Sequence, residues 1–314
     1  MVKIRPFRFS CISNGARSRE ELITQAKKSE EVGVSTFLMT DHFDEASSFG
    51  IVGDPISTLM AVADATSLRI GSHVFCNDFY HPAVLYRQVA MLDQLSEGRF
   101  QFGLGCGYLA EDYKQAGLPF DRVGVRIARF EESVKLYKAY FQTDKLYFAG
   151  QHYTLDGLDV VVKSVQKPYP PLYLGGGGKR ILSFAAREAD VIGLAAKNNE
   201  HGLNWTSSLY EYNDEKLTWI REAAGERFEH IELSNTIFIA VVTNDREHVA
   251  YGVGQKLGLT PEQTLQCNHV LIGTIDQMVE ELYYRREHFG FSSIEFRVAD
   301  IGAVAPVIGQ LAGR

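Results

Sequence analysis

The sequence predicts an α/β protein built as a (β/α)8 TIM-like barrel, and three observations carry that prediction. The chain has 314 residues, 45% of them hydrophobic and 23% charged, enough for one barrel of about 250 residues plus insertions. Eight short apolar stretches recur along it, each followed by helix-like sequence. Their apolar character suits a parallel sheet buried on both faces.

Taken in order, FRFSCIS (residues 7–13) is the first strand. A helix over 19–32 follows, with Ser18 as N-cap and Glu21 three positions on, a capping-box pattern. TFLMT (36–40) is the second strand, and Asp54 opens the next helix with Pro55 in its first turn. RIGSHVFC (69–76) is the third strand. His81-Pro82 then opens a helix to about residue 95. RFQFGLG (99–105) is the fourth strand, and a long helix covers about 125–141. After the β-rich stretch LYFAGQHYTLDGLDVVVKSV come PLYLGG (171–176), VIGL (191–194) and ELSNTIFIAVV (232–242) as the fifth to seventh strands. A helix from Asp245 and another over 275–288 precede the eighth, SSIEFRVA (292–299). Surplus length at about 108–124, 145–167 and 197–227 reads as insertions beside a single barrel domain spanning 1–314.

Composition narrows the function. A net charge of −7 and a pI near 5.8 provide no basic surface for nucleic acid. No apolar run approaches the roughly 18 residues of a membrane span, and the N-terminus lacks the apolar core of a signal peptide. Cys11, Cys76, Cys106 and Cys267 form no CxxC, which suits a reducing compartment. A cytoplasmic protein is therefore expected. No HExxH or similar spacing points to a metal, and no GxSxG points to a serine nucleophile.

In such barrels the chemistry lies at the carboxyl ends of the strands. There the sequence places Asp41-His42-Phe43 after the second strand and Cys76-Asn77-Asp78-Phe79 after the third. Gly105-Cys106-Gly107-Tyr108 follows the fourth, and Gly175-Gly176-Gly177-Gly178 ends the fifth. The glycine run stands before a helix start at Lys179-Arg180. Its backbone N–H groups, the helix dipole and a left-handed φ within the run would make an anion nest, with the phosphate of a cofactor as its ligand. A tight turn at a crowded rim is the alternative. GLGCG at 103–107 is not a dinucleotide fingerprint, because Tyr108 stands where a spacer and then a glycine belong. A nicotinamide dehydrogenase is thus not expected. Either packing or close approach to a flat ring accounts for those glycines. Asp41-His42 sets a side chain suited to proton transfer near neutral pH beside a carboxylate, a candidate catalytic pair; the alternative is that Asp41 caps a turn and His42 is a packed rim histidine. If the strand continued through them, the two would face opposite ways.

FLMTDHF (37–43), GSHVFCNDFYHPAVLYRQVAMLDQLSEGRFQFGLGCGY (71–108), GVRIARFEES (124–133), PPLYLGGGGKRILSFAAREADVIGL (170–194) and GTIDQMVEELYYRREHFGF (273–291) resemble the luciferase-like flavin and deazaflavin oxidoreductases. The resemblance is closest to the branch that uses coenzyme F420. It implies a barrel of the bacterial luciferase-like type with the deazaflavin ring across its mouth, and a homodimer. It makes His42 a proton donor near the ring, with Asp41 beside it. It also implies a bulge with a non-prolyl cis peptide at His73-Val74 behind the ring. By the same resemblance, Asn77, Cys106, Gly107 and Tyr108 are expected to line the cofactor, and Gly175 to Gly178 with Lys179 to hold its phosphate. Some F420 enzymes carry a glutamate where Tyr108 stands; here the nearest carboxylates are Glu111 and Asp112. The expected activity is hydride transfer between deazaflavin C5 and a small organic substrate. An FMN-dependent monooxygenase is the alternative within the fold, and a non-catalytic cofactor-binding barrel the alternative outside enzymes.

Overall fold

Nine strands form one sheet in the order Arg69–Ser72, Thr36–Met39, Arg8–Ser13, Phe291–Arg297, Glu232–Ile237, Val191–Leu194, Leu172–Gly176, Phe100–Gly105 and Phe75–Cys76. Arg69–Ser72 also pairs with Phe100–Gly105, which closes the sheet. Arg69–Ser72 and Phe75–Cys76 are two pieces of the third strand, so the closed sheet has the eight positions of a (β/α)8 barrel. The computed structural model describes residues 4–43, 53–199 and 202–314.

The chain divides into two compact units. One contains residues up to Ile12, Lys27–Thr36 and Leu174–Arg314. Its strands run parallel, with Phe9 opposite Ile294, Cys11 opposite Phe296 and Leu233 opposite Ile192. All six are buried. The other contains Ser13–Ala26 and Phe37–Tyr173. Here Ile70 lies opposite Phe100 and Phe75 opposite Leu104. Phe102 packs against Tyr137 of the helix Val123–Gln142, with ring centroids 4.7 Å apart and planes tilted by 31°. Each such buried ring contributes roughly 1.5–3 kcal/mol of burial free energy.

Local signals account for the helix starts. Asp54 accepts the Ser57 N–H at 2.7 Å, and Pro55 needs no partner in the first turn of Pro55–Ala65. Ser18 accepts the Glu21 N–H at 3.1 Å ahead of Arg19–Glu31. The Glu21 carboxylate, however, takes the Arg17 N–H rather than that of the cap residue.

One expectation needs correction. The segment 232–242 is not one strand. Glu232–Ile237 belongs to the barrel sheet, whereas Ile239–Val242 pairs in parallel with Val270–Gly273 in a separate two-stranded sheet. The Phe238 and Ile239 N–H groups both turn to the His269 carbonyl at the break. The segment has no Gly or Pro to mark such a change of partner. The third strand is interrupted at His73-Val74, whose peptide bond is cis as the family resemblance implies.

The inserted segments form local structure. Lys145–Ala149 and Thr154–Asp159 make an antiparallel hairpin. The Glu132 carboxylate accepts the N–H groups of Gln151, His152 and Tyr153 at its turn. Lys197–Asn199 and Gly202–Asn204 make a second antiparallel pair, followed by the helix Tyr210–Ala224. Residues 200 and 201, inside the third insertion, lie outside the described residues.

Candidate active site

The second strand ends at Met39, and Thr40 is held by its N–H on the Ser13 carbonyl and its hydroxyl on Asn14. Asp41 and His42 therefore lie beyond the pleat and need not alternate. Asp41 is buried. Its Oδ2 accepts the Cys76 N–H at 3.0 Å and its Oδ1 the Tyr80 hydroxyl at 3.2 Å. Burial pushes its carboxyl up to about 6; the Cys76 N–H, the Tyr80 hydroxyl and nearby His42 hold it back in part. Asp41 thus braces the loop after the third strand.

The hydrogen-bonded carboxylate of His42 is not its neighbour but Asp112. His42 Nδ1 lies 2.7 Å from Asp112 Oδ2, and Asp112 Oδ1 accepts the Phe43 N–H at 2.8 Å. The Asp112 side chain is 4% exposed and that of His42 18%. A carboxylate can only accept, so Nδ1 carries the hydrogen and Nε2 is the nitrogen left to exchange a proton. Asp112 sits on the short helix Ala110–Gln115, which directly follows the loop of the fourth strand. Glu111, one residue earlier, pairs with Lys114 at the surface. Tyr108 stands edge-on to His42 at 5.9 Å and is half exposed.

The glycines of this loop answer to protein packing. A Cβ on Gly103 would collide with the Ser72 carbonyl, and one on Gly105 would sit 2.7 Å from Val74 Cγ2. Gly107 has φ +70°, and its Cβ would strike the Tyr113 hydroxyl. Val74, just past the cis peptide, is thus the neighbour that keeps Gly105 small. His73 donates its N–H to the Met39 carbonyl, and its Nε2 lies 3.2 Å from the Tyr173 hydroxyl. Cys106 is partly exposed.

Asn77 is buried and donates to the Tyr153 hydroxyl at 3.1 Å and to Asp78 at 3.3 Å. Arg129 grips Asp78 with both prongs, at 2.8 and 2.9 Å, and reaches Asp121 at 3.0 Å. The Tyr113 hydroxyl also donates to Asp78. Burial pushes the Cys76 thiol up to about 12, so it is no nucleophile at neutral pH. A cavity of about 320 Å³ opens beside this network against Phe79, Tyr80, Arg129 and Tyr153. Reading the sequence assigned no part to Arg129 or Tyr113. Their only signal was position, on the helices that follow the fourth strand.

The glycine run belongs to the other unit. Gly175 and Gly176 end the strand, and Gly178 is the N-cap of Lys179–Glu188 with no side chain capping it. None of the four has positive φ; that of Gly178 is −106°. The expected left-handed nest is therefore absent, because the strand runs straight into the helix. Crowding explains two of the glycines. Gly176 packs on Ile181, and a Cβ on Gly177 would lie 2.6 Å from the Ala196 carbonyl carbon and oxygen. Gly178 differs, since a Cβ there would meet nothing within 4 Å. A phosphate fits at this point: open space over an uncapped helix N-terminus, with exposed Lys179 and Arg180 in the first turn.

Residues 4–251 match the model of the luciferase-like monooxygenase family. The chain belongs to that family. Among curated members, an F420-dependent glucose-6-phosphate dehydrogenase of Amycolatopsis mediterranei is 27% identical over 232 residues, 73% of this chain and 66% of the relative. Several other relatives are matched over about half their length. The fold is shared with an F420-dependent secondary alcohol dehydrogenase solved with an F420–acetone adduct (TM-score 0.78, 19% identity, 98% of both chains). It is also shared with a riboflavin lyase solved with modified FMN (TM-score 0.76, 14% identity, 98% of this chain and 93% of that one). Luciferase-like proteins of this fold thus include both deazaflavin and flavin binders.

Proposed function

We propose that this protein is an F420-dependent oxidoreductase that reduces or oxidises a small organic molecule, with His42 as its proton donor or acceptor. The observation that carries the reading is the 2.7 Å contact between His42 Nδ1 and Asp112, a buried carboxylate fixing one tautomer of a partly exposed imidazole. F420, when bound, supplies a hydride carrier at C5 of its deazaflavin. For a carbonyl substrate, carbon receives the hydride and oxygen the proton. His42 Nε2 holds that proton, and Asp112 keeps the ring turned and stabilises the imidazolium. Asp41 takes no proton from His42; it holds the Cys76 and Tyr80 backbone and ring in place. Gly178 and the first turn of Lys179–Glu188 hold the cofactor phosphate, with Lys179 adding charge. The F420-dependent relatives support the deazaflavin over the flavin.

A second reading, an FMN-dependent monooxygenase, is favoured by the fold shared with an FMN-bound enzyme. The two are separated by offering the protein reduced F420 with a panel of small ketones, aldehydes and activated alkenes, and reduced FMN with oxygen. The first reading expects oxidation of reduced F420 with at least one acceptor. Consumption of reduced FMN alone would overturn it in favour of the second.

A further inference from the structure

Lys216 is 1% exposed on the helix Tyr210–Ala224. Its Nζ donates to the Ala195 carbonyl at 2.8 Å and to the Ser207 carbonyl at 2.7 Å. Ala195 in turn gives its N–H to the Gly176 carbonyl at 3.0 Å. The next peptide, at Ala196, is the surface against which Gly177 has no room for a side chain. Residues 195 and 196 are therefore the floor of the glycine loop, and Lys216 clamps that floor from below. Its second bond, together with the Lys197 N–H on Ser207 Oγ at 2.7 Å, ties the far end of the same segment.

We propose that Lys216 is a positioning residue for the Gly175–Gly178 loop, a buried cation that sets the loop's affinity for a phosphate-bearing cofactor. The inference rests on the phosphate reading of that loop. A neutral donor would satisfy the carbonyls without the cost of burying a charge. The ammonium makes sense where an anion shares the neighbourhood.

The charged and titratable groups facing Lys216 are Lys197, Glu215, Cys267 and His269. Burial, and then Lys197, push the Lys216 ammonium down to about 8. Burial pushes the Cys267 thiol up and His269 down to about 4, so neither titrates in the same range. A bound phosphate favours the ammonium. Phosphate affinity is thus full below pH 8 and declines as pH rises through it.

The test is the ratio of dissociation constants for the phosphate-free deazariboflavin and for F420, measured at pH 7 and pH 9.5, with riboflavin and FMN as the flavin pair. Wild type is expected to prefer the phosphate-bearing partner, and to lose at least threefold of that preference at the higher pH. Lys216→Met is expected to lose about tenfold of the preference at pH 7, to bind the phosphate-free ring unchanged and to show no pH step. A wild-type ratio near one would remove the phosphate reading, and this inference with it. A clear wild-type preference that is flat with pH, or retained within twofold in Lys216→Met, would overturn the inference alone. If Lys216→Met does not fold, the wild-type pH series decides.

Discussion

The rim around His42 and the loop Gly175–Gly178 both follow the carboxyl ends of barrel strands, yet they are made of different material. Around His42 every working group is a side chain held by another side chain: His42 by Asp112, Asp41 by Tyr80, Asp78 by Arg129. At the glycine loop the working groups are backbone N–H and carbonyls, and side chains are excluded at Gly176 and Gly177. A site of side chains can lose one member and keep its shape. A site of backbone cannot, because a substitution changes the path of the chain itself. The comparison teaches that mutations at His42 should act on rate, whereas those at the glycines should act on folding and cofactor binding.

The largest expected effect is at His42. His42→Ala should lower kcat by roughly 10²–10⁴, the usual worth of general acid–base help, with cofactor affinity within about tenfold. His42→Asn should rescue little, since it carries no proton near neutral pH. A kcat within threefold of wild type at saturating cofactor would remove the proton-transfer role and erase the contrast.

Next in size is the stability cost of Asp41. Its carboxyl is raised from 3.8 to about 6 in the folded protein. Between those values the folded state binds more protons than the unfolded state. Its contribution to stability is therefore present at low pH and lost as pH rises through about 6. At about 1.36 kcal/mol per pKa unit, the loss is on the order of 3 kcal/mol. Asp41→Asn can keep both contacts and should abolish this slope. Urea unfolding at pH 4.5 and pH 7 checks it: the variant should gain on wild type at the higher pH, and an equal difference at both would contradict the assignment.

Gly177→Ala sharpens the other half of the comparison. Its Cβ is placed 2.6 Å from the Ala196 backbone, which overpacking data put at about 1–3 kcal/mol. Thermal unfolding should show the loss directly, and a melting temperature equal to wild type would mean the loop yields easily. Gly178→Ala should have the smallest effect on stability, within about 0.5 kcal/mol, because its Cβ enters open space at an ordinary φ. It should nonetheless weaken F420 binding, since that space is where the phosphate is proposed to sit. Unchanged affinity would move the phosphate elsewhere.

Much of the fold was legible because its signals are local. Apolar runs mark most of the strands, Asp54-Pro55 marks a helix start, and the glycine run marks a place where, at Gly176 and Gly177, side chains do not fit. The seventh strand misled for a different reason: 232–242 passes from a polar-rich half (Glu232, Ser234, Asn235, Thr236) into an apolar one with no Gly or Pro between, and only the fold sets the change of partner after Ile237. The site divides in the same way. His42 and the glycines stood out in sequence by residue type and by position after a strand. Arg129 and Tyr113 did not, since an arginine and a tyrosine on amphipathic helices have no distinctive spacing.

By itself, then, the sequence determined where most strands lie, which loops end them, and that His42 stands at one such end. It did not determine which carboxylate His42 would meet. Asp41 is adjacent and Asp112 is 70 residues away, yet the imidazole bonds the distant one. Chain order constrains neighbours only through backbone geometry. Past the end of a strand, side-chain direction is set by whatever the fold brings within reach. The same holds at Gly177, where the reason for glycine is not its own φ but the Ala196 backbone, which only the folded chain delivers to it.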